Sequence, residues 1–355
     1  MKRIGIFGGS FNPVHSGHIG VALRAAAEYS LDKVIVVPAA CNPFKDGCGA
    51  DELRWTLVKY ACMPHPILEP WDFELRRGGV SYSIDTVREV KRLHPGAELF
   101  FIIGEDNVGG VSKWKDAEEL QRLVRFVTFP RTPESSTEVR RRLAAGESVG
   151  DLVPPAVADF LEAKGVVFDF GGVISVSPRG DSWPLVEYCA SIGISRESFD
   201  RSWDAHRAKW DGGECSFEEL YRLTFADAGL PPPSAGQIEK LWELDAQAWC
   251  KTLSPRTLAL MKDLKASGRK IGILSNMSED FHARLFAPLC AEHRALVDAE
   301  IISGFEKLVK PDRPIYDLAA SRLGLAPGEL LFLDDTEQNV IAARKWGWRS
   351  HVYRA

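Results

Sequence analysis

The sequence predicts an α/β chain of two doubly wound, Rossmann-like parallel sheets, the second with a helical cap inserted after its first strand. Three observations lead there. Short β-branched runs alternate with helix-compatible segments through the first half, the rhythm that predicts a parallel sheet covered on both faces. The same rhythm restarts at Val166. Between the first two strands of that restart, positions from about 175 to 265 read as helix only. At 355 residues the chain is also long for a single core.

In the first half, Ile4–Phe7, Val34–Pro38, Leu99–Gly104 and Phe126–Phe129 read as buried strands. Helix candidates lie between them at 17–30, 51–62, 81–93 and 115–123. Pro154-Pro155-Ala156-Val157 opens a further helix with proline in its first turn, and Gly165 stands where a terminating glycine belongs. The expected domains are therefore 1–164 and 165–355, joined almost directly. In the second half the strands are Val166–Phe170, Lys270–Leu274, Glu300–Ser303 and Leu330–Asp334, and Ser216-x-x-Glu219 reads as a capping box within the helical insertion.

Composition narrows the function classes. The chain is 45% hydrophobic and 26% charged with a net charge of −5, which gives no electrostatic footprint for nucleic acid or a membrane surface. Apolar runs are too short to span a bilayer, and the segment after Met1 is too short for a signal-peptide core. The seven cysteines contain no CxxC and read as reduced thiols, Cys41 and Cys48 included, which suits a cytoplasmic location.

The opening stretch Gly8-Gly9-Ser10-Phe11-Asn12-Pro13-Val14-His15-Ser16-Gly17-His18 carries chemistry. A strand that ends in glycines and runs into a helix gathers backbone N–H groups and a positive helix end at one point, which suits phosphate. Two imidazoles there can stabilise charge growing on phosphoryl oxygens. A lone HxxH reads equally as one helix-capping histidine and one surface histidine. Ser135-x-x-Glu138 taken alone is a plain capping box. In the second half, Asp169 ends an apolar strand, and a carboxylate there is a nucleophile, a metal ligand or a turn former.

The opening stretch resembles the HxGH motif of the nucleotidylyltransferases, and its Gly-Gly-Ser-Phe start resembles the nicotinate/nicotinamide mononucleotide adenylyltransferases. Ser135-Ser136-Thr137-Glu138-Val139-Arg140 is similar to the SSTxxR segment that holds ATP phosphates in that family. Pro43-Phe44-Lys45, the 74–86 stretch, Phe101-Ile102-Ile103-Gly104-Glu105-Asp106-Asn107 and Trp114 follow in family order. The resemblance implies that His15 and His18 are catalytic and stabilise the α- and β-phosphates. It places Gly8, Gly9, Ser10, Phe11, Lys45, Ser136, Thr137 and Arg140 on ATP, and Ser83, Thr86, Gly104, Asp106 and Trp114 on the mononucleotide. Only Thr132-Pro133-Glu134 separate Arg131 from Ser135, where the family has a longer excursion.

From 165 onward, Asp169, Leu274-Ser275-Asn276, Lys310-Pro311-Asp312 and Leu333-Asp334-Asp335 resemble the four motifs of the haloacid dehalogenase superfamily. That implies Asp169 as nucleophile, Ser275 and Asn276 on the phosphoryl group, and Lys310 as its counter-ion. Mg²⁺ would lie at Asp169, Gly171, Asp334 and Asp335. The second aspartate common in such phosphatases is replaced by Gly171. Together the resemblances imply a bifunctional enzyme of NAD biosynthesis: an adenylyltransferase using ATP and nicotinate or nicotinamide mononucleotide, with a phosphatase. Partners are small molecules, including a phosphorylated metabolite, and an oligomer stays open. Phosphopantetheine adenylyltransferase, or a degenerate nucleotide-binding regulator, remain the competing readings.

Overall fold

The computed structural model describes residues 1–41, 50–176, 184–250 and 253–355. The chain divides into two compact units, Met1–Glu162 and Ala163–Ala355.

The first unit holds β1 (Arg3–Gly9), β2 (Lys33–Pro38), β3 (Leu68–Pro70), β4 (Glu98–Gly104) and β5 (Arg125–Phe129), in the order β3-β2-β1-β4-β5. Every pairing is parallel. Ile4 and Ile6 on one face of central β1, and Gly5 and Phe7 on the other, are all buried because helices cover both faces. The helix Ser16–Glu28 turns Gly17, Ile19, Ala22, Ala25 and Ala26 inward, and these mostly small side chains let it lie close to the sheet. The chain runs from β1 outward through β2 and β3, then returns to place β4 on the other side of β1. That reversal leaves a crevice at the strand ends between β1 and β4, the place where open α/β sheets hold ligands.

The second unit repeats the winding. It holds β6 (Gly165–Phe168), β7 (Lys270–Ser275), β8 (Ala299–Ile302), β9 (Leu330–Asp334) and β10 (Arg349–Val352), in the order β10-β9-β6-β7-β8, again all parallel. The equivalent crevice lies between β6 and β9. Four helices, Pro184–Ser191, Arg196–Asp211, Phe217–Asp227 and Ala235–Cys250, follow β6. A bridge between Ser175 and Leu253 brackets them, so this excursion leaves and rejoins the sheet at one point. Helix Pro255–Ala266 then packs on β7 as part of the covering layer. Ser216 caps the third of the four helices, its hydroxyl accepting from the Glu219 N–H at 3.2 Å.

Of the four edge strands, β5 and β8 were read from sequence, while β3 and β10 escaped it. Leu68-Glu69-Pro70 is three residues long and ends in proline, and Arg349-Ser350-His351-Val352 is mostly polar. At a sheet edge one side of the ladder needs no partner and one face meets solvent, so neither residue set shows an apolar run. The thiol reading also changes: Cys41 is disulfide-bonded. Cys62, Cys189, Cys215 and Cys290 are free.

Candidate active sites

The first site forms where β1 hands over to helix Ser16–Glu28. Phe11 sits in the loop at φ 42°, a left-handed conformation costly for a non-glycine residue. Its ring is buried edge-on against His18, centroids 4.9 Å apart. His18 Nδ1 accepts from the His15 backbone N–H at 3.2 Å, so the neutral His18 ring carries its proton on Nε2. The two imidazoles stack with centroids 3.6 Å apart. His15 is buried, and its Nδ1 has no hydrogen-bond partner among the described residues. Burial lowers its pKa to about 4, with the nearby Glu134 carboxylate working in the opposite direction. The resting ring is therefore neutral at pH 7.

The 135–140 segment docks directly onto this loop. The Ser136 hydroxyl donates to the Pro13 carbonyl at 2.9 Å, and Arg140 Nη1 donates to the Asn12 carbonyl. Ser135 caps its helix by accepting from the Glu138 N–H at 3.1 Å, and Arg140 Nη2 reaches Thr137 Oγ1 at 3.3 Å. A Cβ at Gly17 would overlap Thr132 Oγ1, so glycine is needed where the short 132–134 segment crosses the helix start.

Around this contact lies an open cavity of about 1420 Å³. Gly8, Gly9, Ser10, Phe11, His15, His18, Ser83, Gly104, Asp106, Trp114, Ser136, Thr137 and Arg140 all line it. Thr86 lies behind the wall, its hydroxyl donating to Glu74, which does face the cavity. Lys45 lies outside the described residues. Trp114 packs edge-on against Phe101 and Phe126, centroids 5.9 and 6.2 Å away. Asp106 pairs with Arg131 at 2.5 Å on the rim.

Two contributors were missed from sequence. Glu74 is buried and its pKa is raised by burial, against hydrogen bonds from Thr86 and Ser81. Arg54 donates to the carbonyls of Ser10 and Ala39 at 2.7 and 2.8 Å, tying the loops after β1 and β2 together from behind. Arg54 sits in a helix whose pattern reads as ordinary solvent-facing charge, and Glu74, though first in the 74–86 stretch that resembles the family, was not singled out within it.

The second site gathers at the β6–β9 crevice. Lys310 Nζ lies 2.9 Å from Asp169 Oδ1 and 2.7 Å from Asp334 Oδ2, in a place almost without solvent access. Burial opposes the ammonium charge, but the two carboxylates outweigh it and raise the Lys310 pKa. Asp169 is raised to about 6, by burial first and by Asp334, against the pull of Lys310 and hydrogen bonds from Lys310 and Ser275. Asn276 grips the Lys310 backbone on both sides, donating to its carbonyl at 2.9 Å and accepting from its N–H at 2.8 Å. Asp334 also accepts from the Thr336 N–H at 2.8 Å and from Asn339 at 3.0 Å, which makes it an anchor. Asp335 faces the cavity of about 290 Å³ together with Asp169, Gly171, Ser275, Asn276 and Lys310.

Carboxylate oxygens of Asp169, Asp334 and Asp335 lie within 4.8 Å of one another. Three hard oxygen donors around one ammonium leave a net negative charge, the donor chemistry that suits Mg²⁺. The four-helix excursion adds Trp203, Arg207, Asp211 and Trp249 to the wall. Trp203, Arg207 and Trp210 are spaced i, i+4, i+7, one face of a helix. That spacing was the available signal for them, and it is indistinguishable from an ordinary amphipathic stripe.

Comparison with known proteins connects these geometries to families. Residues 163–347 match the haloacid dehalogenase-like hydrolase model, and residues 6–151 match the cytidylyltransferase-like model. A protein of Shouchella clausii named "Probable nicotinate-nucleotide adenylyltransferase" is 38% identical over 189 residues, covering 48% of this chain and 98% of that protein. One of the same name from Thermus thermophilus is 39% identical over 183 residues, covering 46% of this chain and 98% of its own length.

The chain belongs to both families. Its first unit is of the nicotinate-nucleotide adenylyltransferase family and its second of the haloacid dehalogenase-like hydrolases. Among solved structures, a Vibrio parahaemolyticus protein described as a "Putative Nicotinate-nucleotide Adenylyltransferase" aligns over 45% of this chain and 99% of its own, at 26% identity and TM-score 0.40. A family enzyme from Bacteroides thetaiotaomicron aligns over 55% and 94%, at 20% identity and TM-score 0.45. Among the described residues no helix is long and apolar enough to cross a membrane.

Proposed function

We propose that the chain is a bifunctional enzyme. The first unit transfers the adenylyl group of ATP to nicotinate mononucleotide, giving the dinucleotide and pyrophosphate. The second hydrolyses a phosphorylated metabolite through an aspartyl-phosphate on Asp169. The observation that carries the first reading is the docking of Ser136 and Arg140 onto the loop that presents His15 and His18.

The mononucleotide phosphate is already an anion at neutral pH, so its attack on the α-phosphorus needs no general base. The barrier is alignment of two polyanions and dispersal of charge in the in-line transition state. His18, through Nε2–H, and His15 would donate to phosphoryl oxygens, and Arg140, Ser136 and Thr137 would hold the outer phosphates. A bound triphosphate favours protonation of His15, opposing the burial that keeps it neutral at rest. Trp114 offers a flat apolar wall for a pyridine ring.

In the second unit Asp169 would attack phosphorus while Lys310 and Ser275 hold the transferring oxygens. Asn276 and Asp334 position Lys310. Asp169 and Asp335, with Asp334 behind them and Gly171 beside, would hold Mg²⁺, which when bound offsets the charge of the phosphoryl group. Incubation of the full chain with ATP, Mg²⁺ and either mononucleotide tests the first reading. Dinucleotide and pyrophosphate should appear together, faster with the nicotinate form. Absence of a dinucleotide from both would remove it.

A further inference from the structure

The first cavity is lined by three acidic side chains, Glu74, Asp106 and Glu134, as well as by its phosphate-binding groups. Two of the acids are engaged. Glu74 takes hydrogen bonds from the Thr86 and Ser81 hydroxyls, and Asp106 pairs with Arg131 on the rim. Glu134 is different. It shares the cavity wall with His15, Gly17, His18 and Arg140, and among the described residues its carboxylate has no hydrogen bond or ion pair.

The chain fixes where that carboxylate stands. Thr132 Oγ1 donates to the Glu134 carbonyl at 3.4 Å, and the Ser136 hydroxyl donates to the Pro13 carbonyl at 2.9 Å. Between those two ties the short segment crosses the start of helix Ser16–Glu28. A Cβ built on Gly17 would meet Thr132 Oγ1 first and then Glu134 Oε2 at 3.0 Å. The acid thus lies against the first helical turn, close enough to His15 to favour protonation of that ring. A helix start holds anions, so a carboxylate of the chain itself stands where the proposed triphosphate would bind.

That placement discriminates between two forms of the nucleotide. A bare triphosphate brought beside Glu134 is repelled, because like charges meet at close range in a partly dry cleft. A triphosphate complexed with Mg²⁺ presents a cation to the same carboxylate. Mg²⁺ in nucleotide sites is held by one or two carboxylates together with the substrate's phosphates. Resting on the adenylyltransferase reading, we infer that Glu134 makes the first site selective for the metal-complexed nucleotide over the metal-free polyanion. His15, His18 and Arg140 offer donors to any phosphate chain, and the acid distinguishes its two forms. The metal so selected is part of the substrate.

The test is calorimetric binding of α,β-methylene ATP, which cannot be cleaved at the reacting bond, to the full chain with excess Mg²⁺ and with EDTA. The parent should bind the Mg²⁺ complex more tightly than the metal-free analogue. Glu134→Gln and Glu134→Ala should strengthen metal-free binding about fivefold or more, the scale of one relieved like-charge contact in a half-exposed place. Binding of the complex should be unchanged or weaker, so the preference shrinks from both sides. Mg²⁺ at the second site is common to parent and variants, so the difference between them reports Glu134 alone. A parent without a Mg²⁺ preference overturns the inference, as does a preference unchanged within about twofold in both variants. Weaker metal-free binding in Glu134→Gln also overturns it, since the acid would then be a plain support of the site. No binding of either form by the parent removes the adenylyltransferase reading itself, a different result from an unaltered preference.

Discussion

Both sheets are wound in the same order and both open a crevice at the reversal, between β1 and β4 in one unit and between β6 and β9 in the other. The two crevices nonetheless carry opposite chemistry. The first is wide, about 1420 Å³, and presents N–H donors: stacked imidazoles, the helix start and Arg140. The second is about 290 Å³ and is built around carboxylates, with Lys310 locked among them. In the proposed first reaction the substrate brings its own nucleophile, so what is asked of the protein is positive and dipolar groups, although Glu74, Asp106 and Glu134 also line the cavity. In the proposed second reaction the protein supplies the nucleophile, Asp169, whose charge burial opposes and the Lys310 ammonium favours. One winding serves both because the topology fixes where strand ends gather and leaves the side chains at those ends free.

Separate chemistry implies separable losses. Asp169→Asn should lower hydrolysis by on the order of 10⁴-fold or more, while adenylyl transfer is unchanged within error. A parallel fall in both assays would break the comparison. Next in size is Lys310→Met, which leaves Asp169 and Asp334 facing each other without a counter-ion in a buried place. It should cost about 3–5 kcal/mol of stability in denaturant titration, and adding Asp334→Asn should restore part of it.

His18→Ala should reduce adenylyl transfer by on the order of 10²–10³-fold and leave hydrolysis intact, the scale of losing one preorganised donor. The smallest expected effect comes from His15. Its folded pKa of about 4 lies below the ordinary 6.5, so between those values the unfolded chain binds more protons than the folded one. Stability supplied at pH 7 should therefore fall as the pH drops from 6.5 toward 4, by about 2 kcal/mol. Denaturation midpoints of the parent and His15→Gln at pH 7 and 4.5 measure it. Equal pH slopes would show that the ring is not buried neutral, and the contrast between the two mouths would weaken.

The central strands were legible because a strand buried on both faces is apolar along nearly its whole length, as Ile4–Phe7 and Leu330–Leu333 are. Edge strands carry no such demand: β5 and β8 still showed apolar runs, whereas the short or polar β3 and β10 left none to read. The site residues that could be named beforehand were those gathered in short motifs next to strand ends. Glu74, Arg54, Thr336, Asn339 and the cap residues Trp203, Arg207 and Trp249 stand in unremarkable local patterns. Their roles arise from which neighbour the chain brings to them.

Taken alone, the amino-acid order determined two parallel sheets, a helical excursion in the second half, and two families of phosphate chemistry. Each of these is encoded locally, by periodicity or by contiguous motifs. Only the tertiary structure decided that the 135–140 segment closes on the histidine loop, that Asn276 grips the backbone of Lys310, and that the Glu134 carboxylate lies against Gly17. Those are contacts between segments tens of residues apart, and no local spacing records the distance across which a folded chain brings them together.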